Sequence, residues 1–249
     1  MSLTNLILAT LVCLGLQLGF FIFAAIFKTD KLTDLSYGLT FIVLALVMLF
    51  FNSLTTARIV AASMVVIWGV RIAGYLFVRI LKMKKDARFD GIRENTLKFA
   101  GFWIMQAITI LIIMLPIFAV FSIDGRMGYV SYFGFFIWLF GLVYETKSDM
   151  QKYHFKLTKK GFVKEGLWKY SRHPNYFGEI LCWVGVFIFS VPFLSEFYWL
   201  SIISPIYITV LLVFVTGIPP LEKSHEIKYG KEYVEYKKKT SMLIPWIKH

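Results

Sequence analysis

Polar and ionisable side chains are concentrated just before one apolar segment, in the stretch Tyr170-Ser171-Arg172-His173-Pro174-Asn175-Tyr176-Phe177-Gly178-Glu179. Pro174 suits the first turn of a helix, where a missing N–H costs nothing, so we predict that a helix begins there. The start of such a helix carries partial positive charge and unpaired N–H groups, and Arg172 and His173 add to that charge. Asn175 and Glu179 are four residues apart and share one helical face. The stretch therefore predicts a site for an anionic ligand beside a polar helix face.

The segment before this stretch is strongly basic and could also contribute to a ligand site. It contains Asp149 and the lysines Lys152, Lys156, Lys159, Lys160 and Lys164. For any single lysine, membrane topology or contact with lipid headgroups is the better explanation. A cofactor rich in phosphate would use a minority of them.

The C-terminal tail is the third polar segment. Tyr229, Tyr233 and Tyr236 recur there at helical spacing, which indicates an amphipathic face lying on the membrane. In the alternative interpretation, this basic and aromatic helix closes over a cytoplasmic cavity. The chain's other histidines and cysteines form no zinc-binding pattern, and glycine-rich nucleotide fingerprints are absent, so we predict no metal site.

The elements that must position these residues are membrane-spanning helices. Of the 249 residues, 58% are hydrophobic and 17% are charged, whereas soluble domains have about 45–50% apolar and about 25% charged residues. A bilayer span needs about 20 mostly apolar residues. Seven segments qualify, roughly 5–27, 35–54, 57–81, 99–122, 128–147, 176–195 and 198–219. Because backbone groups in lipid must be satisfied within each segment, we predict an all-α polytopic membrane protein that forms a single domain over residues 1–249.

The distribution of basic residues predicts the orientation of the chain. With the N-terminus outside and the C-terminus in the cytoplasm, the loops after the first, third and fifth spans and the tail lie inside and carry most of the lysine and arginine. The outside loops then contain only Arg58 and Arg126. A net charge of +12 would suggest nucleic acid in a soluble protein. Here it follows membrane topology, so we predict a lipid bilayer and no nucleic acid as partner.

Charged residues inside the spans are few, and each is a functional candidate because its burial in lipid is costly. They are Arg71, Glu145 and Glu179. Snorkelling or a structural pair explains Arg71 or Glu145 equally well. No internal repeat is visible, so a transporter built from inverted repeats is not supported.

The stretch from Ser171 to Glu179, followed by Trp183 and Gly185, resembles the signature of the steroid 5-alpha-reductase superfamily, in particular its bacterial DUF1295 branch. The tail fits the C-terminal pattern of that family through Glu222, Tyr229-Gly230, Tyr233, Tyr236, Thr240-Ser241 and Ile244-Pro245-Trp246. Ser148-Asp149-Met150-Gln151-Lys152 and Gly166-Leu167-Trp168 fit as well. The strong resemblance covers residues 141–246. The first 140 residues resemble the branch more loosely, through Arg71, Tyr75, Arg79 and Asp86-Ala87-Arg88-Phe89.

This resemblance implies seven transmembrane helices in a bacterial inner membrane, with NADPH bound from the cytosol by residues 141–249. Residues 1–140 would form the cavity for a hydrophobic small-molecule substrate. By position, the residues that correspond to cofactor contacts of the family are Asp149, Lys156, Asn175, Glu179 and Tyr236. Arg172, His173 and Tyr176 lie in the same motif and are expected to contact the cofactor too. The implied activity is NADPH-dependent reduction of a C=C bond in a lipid, steroid-like or isoprenoid-like substrate.

The sequence departs from the steroid reductases at one catalytic feature. Those enzymes place a Gln-Glu pair in an early helix and a tyrosine in the next, which polarise the enone carbonyl and donate a proton. The corresponding early region here reads Phe51-Asn52-Ser53-Leu54, without an acid, and Tyr75 is the counterpart of the tyrosine. Tyr75 is therefore the predicted proton donor.

Two other classes of function stay open. The isoprenylcysteine carboxyl methyltransferases share the Arg-His-Pro-x-Tyr core and a similar tail but use S-adenosylmethionine. Asn175 and the Phe177-Gly178-Glu179 extension favour the reductase. A membrane transporter or scaffold without enzymatic activity is the third possibility.

Overall fold

The computed structural model describes residues 3–83, 89–194 and 196–246. Its α-helices are α1 (Leu3–Ile26), α2 (Thr33–Phe50), α3 (Thr56–Met83), α4 (Thr96–Ile113), α5 (Leu115–Val120), α6 (Tyr129–Thr158), α7 (Pro174–Ser190), α8 (Ile203–Val210), α9 (Ile218–Tyr229) and α10 (Lys231–Lys239). These ranges contain no β-strand, although Ser171 and Ser241 form an isolated parallel β-bridge. Asp86-Ala87-Arg88 of the predicted family motif lies outside the described residues, as does the side chain of Arg79.

Six helical segments in the described ranges are long and apolar enough to cross a membrane, so the predicted all-α polytopic class is confirmed. They are Asn5–Ile26, Thr33–Phe50, Thr56–Val78, Thr96–Ile113, Pro174–Phe193 and Trp199–Tyr229. The seventh predicted span, 128–147, is helical as the first part of the 30-residue α6. It is not one of the six because tyrosines, Trp138 and Glu145 make this helix less apolar.

Two predicted spans are interrupted rather than continuous. Residues 99–122 divide at Met114 into α4 and α5. Pro116, at the start of α5, has no N–H to donate and cannot continue the α4 hydrogen-bond ladder. Residues 198–219 contain a 3₁₀ segment, α8 and a π-helical turn, Leu211–Val215.

The chain forms two compact units, Met1–Tyr129 with Ser190–Ile202, and Val130–Phe189 with Ile203–His249. In the first unit, α2 packs against α3 and α1, and α1 packs against α4. Aromatic rings fill part of this packing, where the Phe41 and Trp68 centroids lie 5.2 Å apart. The predicted single domain stays a prediction.

A buried polar cluster joins α1, α2 and α4 in the first unit. Gln17 Nε2 donates to Thr40 Oγ1 at 2.9 Å. Gln106 Nε2 lies 3.1 Å from Gln17 Oε1 and 2.9 Å from Ser36 Oγ. It also lies 3.2 Å from the backbone oxygen of Thr33. Because lipid offers no competing hydrogen bonds, such contacts hold membrane helices together.

We expect the two glutamines of this cluster to be energetically coupled. Gln17→Met and Gln106→Met remove the amides while keeping unbranched side chains of similar length. Thermal unfolding in detergent of both single variants and the double variant should give a coupling free energy of about 1 kcal/mol. Additive effects of the two substitutions would contradict a direct interaction between the amides. Met105→Leu, on the exposed face of α4, serves as the control substitution.

In the second unit, α6 and α7 are antiparallel and touch backbone to backbone. The contacts are at glycines of both helices, Gly134, Gly141, Gly178 and Gly185. A Cβ added to Gly185 would lie 2.4 Å from the amide nitrogen of Trp138, and one added to Gly178 would lie 2.6 Å from that of Glu145. Glycine is therefore required at these positions, as is common where membrane helices pack closely.

Candidate cofactor site

The helix predicted to follow the polar stretch begins at Pro174, as expected. The Phe177 amide donates to the backbone oxygen of His173 at 3.2 Å. Ser171 Oγ accepts the His173 N–H at 3.2 Å and so fixes the turn that leads into the helix. These hydrogen bonds thus fix the position at which α7 begins.

The glycine contacts set the register of α6 against α7 and bring acidic residues to this end. Glu145 lies beside Gly178 and is only 1% exposed. One further turn along the antiparallel pair places Asp149, which is 4% exposed, level with Pro174. Glu179, on α7 next to Gly178, is also buried. Asp149, Glu179 and Asn175, three predicted cofactor residues, thus lie at the same end of the helix pair.

Asn175 and Tyr176 are half-buried in the first turn of α7. Within the described part of the chain, the Asn175 amide has no hydrogen-bond partner. The Tyr176 ring stacks on His173, with 5.6 Å between centroids and 7° between planes. Lys156 is exposed near the end of α6. The amide of Asn175 therefore has hydrogen-bonding capacity that no described residue uses.

Arg172 is held by the tail rather than lying free at the start of α7. It is 7% exposed. Its Nε donates to Glu222 Oε1 at 2.6 Å. Its Nη1 donates to the backbone oxygens of Thr240 at 2.7 Å and Lys237 at 3.1 Å. Nη2 has no partner among the described residues, so this nitrogen stays available for an anion.

Glu222, in the first turns of α9, is the centre of this contact. Its Oε1 also lies 3.3 Å from His173 Nε2, and its Oε2 accepts from Lys237 Nζ at 3.0 Å. Lys237 Nζ bonds Glu226 Oε1 as well, at 2.5 Å, and the carboxylates of Glu226 and Glu222 raise the pKa of Lys237. Burial lowers the pKa of His173 despite the nearby carboxylate, so the imidazole is neutral at physiological pH.

The sequence pattern did not indicate Glu222 as a site residue, although Glu222 is part of the tail that resembles the family. One signal was present. Glu222 follows Pro219-Pro220 at the point where an apolar segment ends, and a carboxylate there is unusual unless it has a partner. Its partner Arg172 is 50 residues away, which no spacing rule identifies.

The tail lies along the stretch 170–172 as an extended segment. The Arg172 amide donates to the Ser241 oxygen at 2.8 Å, and the Trp246 amide donates to the Tyr170 oxygen at 3.1 Å. Ser171 Oγ donates to the Leu243 oxygen at 2.7 Å. We call residues 240–246 the strap.

The tyrosines of the tail contact the loop before α7. The Phe162 centroid lies 5.1–5.3 Å from the centroids of Tyr229, Tyr233 and Tyr236. The Tyr236 hydroxyl donates to the backbone oxygen of Trp168. The interpretation of these tyrosines as a face lying on the membrane is therefore wrong, because their rings pack against Phe162 and bury Tyr233 almost completely. The predicted cofactor residue Tyr236 anchors the tail.

Tyr75 lies on α3 in the first unit, where the Arg71 guanidinium carbon is 5.8 Å from its ring centroid. In the second unit, a groove of about 520 Å³ runs along α6 and is lined in part by Lys147, His154 and Phe155. None of the predicted cofactor residues lines it.

Comparison with known proteins identifies one family. The DUF1295 family model, described as "Protein of unknown function", matches residues 20–240. This range includes every predicted site residue from Tyr75 to Tyr236, together with Glu222. No curated protein and no solved structure matches the chain.

Proposed function

The chain belongs to the DUF1295 family, and from that premise we propose that it is a membrane-embedded reductase. It would use NADPH to reduce a C=C bond in a lipid, steroid-like or isoprenoid-like substrate. One observation supports the proposal above the others. Asp149, Asn175 and Glu179 lie at one end of the α6–α7 pair, where Arg172 also has an unpaired Nη2.

The residues at this end suit a phosphate-bearing nucleotide. Arg172 Nη2 and Lys156 are cationic donors for phosphate, and the first turn of α7 adds N–H groups with partial positive charge. The amide of Asn175 can donate and accept hydrogen bonds, while an ionised Glu179 can only accept them. When bound, NADPH supplies the hydride, and the protein supplies orientation and a proton. In this proposal the proton comes from Tyr75.

Charge supports the proposed orientation of the site. The lysines of the basic loop before α7 and of the tail favour a cytoplasmic location for both segments, and NADPH is available there. A bacterial inner membrane is the proposed location. The proposal assigns residues 1–140 to a hydrophobic substrate that enters from the bilayer.

Thermal unfolding of the purified protein in detergent with NADPH, NADH and S-adenosylmethionine in parallel tests the cofactor. A ligand at 100 times its Kd stabilises the native state by about 2.7 kcal/mol, so we expect NADPH to raise the unfolding temperature clearly. Stabilisation by S-adenosylmethionine alone would instead assign the chain to the membrane methyltransferases. Failure of all three ligands would favour a protein without this activity.

Variants test the position of the site. We expect Asn175→Ala to weaken NADPH binding about tenfold, because a lost hydrogen bond to a bound ligand is worth about 1–1.5 kcal/mol. Lys156→Ala should weaken it through the loss of a phosphate contact. Lys160→Ala is the matched control, since Lys160 is also an exposed lysine, just after the end of α6, and the proposal leaves it to membrane topology. Equal NADPH affinity in Asn175→Ala and the unsubstituted protein would remove Asn175 from the site.

A further inference from the structure

We propose that Glu222 is a positioning residue that holds Arg172 and His173 in the orientation in which both can contact the phosphate-bearing ligand, and that keeps the strap docked through Arg172. The part that concerns the ligand rests on the proposed function. The part that concerns the strap does not.

Glu222 helps to fix the guanidinium of Arg172. Glu222 Oε1 accepts a hydrogen bond from its Nε, and two backbone oxygens of the tail accept hydrogen bonds from its Nη1. With these atoms occupied, a planar guanidinium has only one orientation. The remaining donor, Nη2, lies on the same edge of the guanidinium as Nε and has no partner in the described ranges. Glu222 therefore determines the position in which Nη2 is presented to an anion.

Glu222 also determines the tautomer of His173. Because the buried imidazole is neutral, the contact between its Nε2 and Glu222 Oε1 requires the proton to be on Nε2. Nδ1 is then an acceptor, and no described residue donates to it. The Glu222 carboxylate thus orients a hydrogen-bond donor, Arg172 Nη2, and an acceptor, His173 Nδ1. A donor suits a phosphate oxygen, and an acceptor suits the hydroxyl of an adjacent sugar.

Glu222 and Arg172 are both connected to the strap and to the residues just before it. Arg172 Nη1 bonds the backbone oxygen of Thr240, at the beginning of the strap, and that of Lys237 before it. The second oxygen of Glu222 binds the Lys237 side chain. A substitution at Glu222 would therefore affect the tail both through Arg172 and through Lys237. Arg172 is also the residue that we propose contacts the ligand.

Glu226 is a second carboxylate on α9, and it does not hold Arg172 or His173. It is 42% exposed at its side chain and bonds Lys237 without contacting Arg172 or His173. Glu226→Gln therefore removes a comparable charge from the same helix and leaves the guanidinium in place. It is the matched control for Glu222→Gln.

The experiment is a double-mutant cycle with Glu222→Gln and Arg172→Lys, with two readouts. The first is the rate at which trypsin cleaves after the lysines 237–239 in the full-length protein in detergent. The second is the affinity for NADPH. We expect Glu222→Gln to accelerate cleavage and to weaken NADPH binding about tenfold, whereas Glu226→Gln changes the affinity less than twofold. Because Glu222 acts in part through Arg172, Glu222→Gln should have a smaller effect in the Arg172→Lys protein than in the unsubstituted protein, on both readouts.

Different outcomes overturn different statements. If NADPH does not bind the unsubstituted protein, the proposed function fails, and the cleavage cycle alone decides the role of Glu222 in docking the strap. If NADPH binds and Glu222→Gln binds it equally well, the positioning role fails while the proposed function stands. Additive effects in the cycle would show that Glu222 acts independently of Arg172 and would also overturn the proposal. If Glu222→Gln does not fold, Glu222→Asp replaces it, because a side chain one methylene shorter cannot hold both partners.

Discussion

Gly185→Ala is expected to destabilise the protein, whereas Gly15→Ala is expected to leave its stability unchanged or raise it. Both glycines lie within membrane-spanning helices, and an alanine suits a helix better than a glycine by about 1 kcal/mol. At Gly15 an added Cβ meets no atom within 4 Å, so this preference is the whole effect. At Gly185 the same Cβ would lie 2.4 Å from the Trp138 amide nitrogen and 2.7 Å from the Gly134 oxygen. Both atoms belong to the backbone of α6, so the helices must move apart.

Overpacking of this kind costs about 1–3 kcal/mol, and more when backbone has to move. Thermal unfolding of both variants in detergent measures the difference directly. We also expect Gly185→Ala to weaken NADPH binding, because a displaced α6 changes the register that places Asp149 level with Pro174. Equal unfolding temperatures for Gly185→Ala and Gly15→Ala would show that α6 and α7 are not in backbone contact.

The local parts of this fold could be predicted from the sequence. The start of α7 at Pro174 follows from one residue's backbone chemistry, and the membrane spans follow from apolar length. The common face of Asn175 and Glu179 follows from helical periodicity. These features depend only on residues within one or two helical turns of each other along the chain, so they can be predicted from the sequence.

Contacts between distant segments could not be predicted in the same way. The pairing of Arg172 with Glu222 depends on the path of the tail, and the resemblance suggested a ligand for Arg172 rather than a partner within the chain. The tyrosines of the tail show a similar limit, because helical periodicity identifies a face but not what covers it. Phe162 covers that face and buries Tyr233. The interruption at Met114 was also missed, since apolar length hides a single proline at position 116.

Arg172→Lys is expected to have the largest effect of any substitution that conserves charge. Lysine keeps the positive charge, but a compact ammonium cannot reach Glu222 Oε1 and the Thr240 and Lys237 oxygens together as the guanidinium fork does. Breaking a buried ion pair by removing one partner costs about 3–5 kcal/mol. A retained charge offsets part of this cost, so we expect a loss of about 2–3 kcal/mol in the free energy of unfolding.

Arg126→Lys is the matched control, because Arg126 is exposed in the first unit and the same substitution there should change stability by less than about 0.5 kcal/mol. Thermal unfolding, trypsin cleavage of the tail and NADPH affinity together separate the two roles given to Arg172. Faster cleavage with unchanged affinity would make the arginine a clamp for the strap alone. Weaker binding with the strap still docked would make it a ligand contact alone. We expect both readouts to change, because Nη1 holds the tail while Nη2 has no partner among the described residues and Arg172 lies next to the start of α7, where Asp149, Asn175 and Glu179 lie.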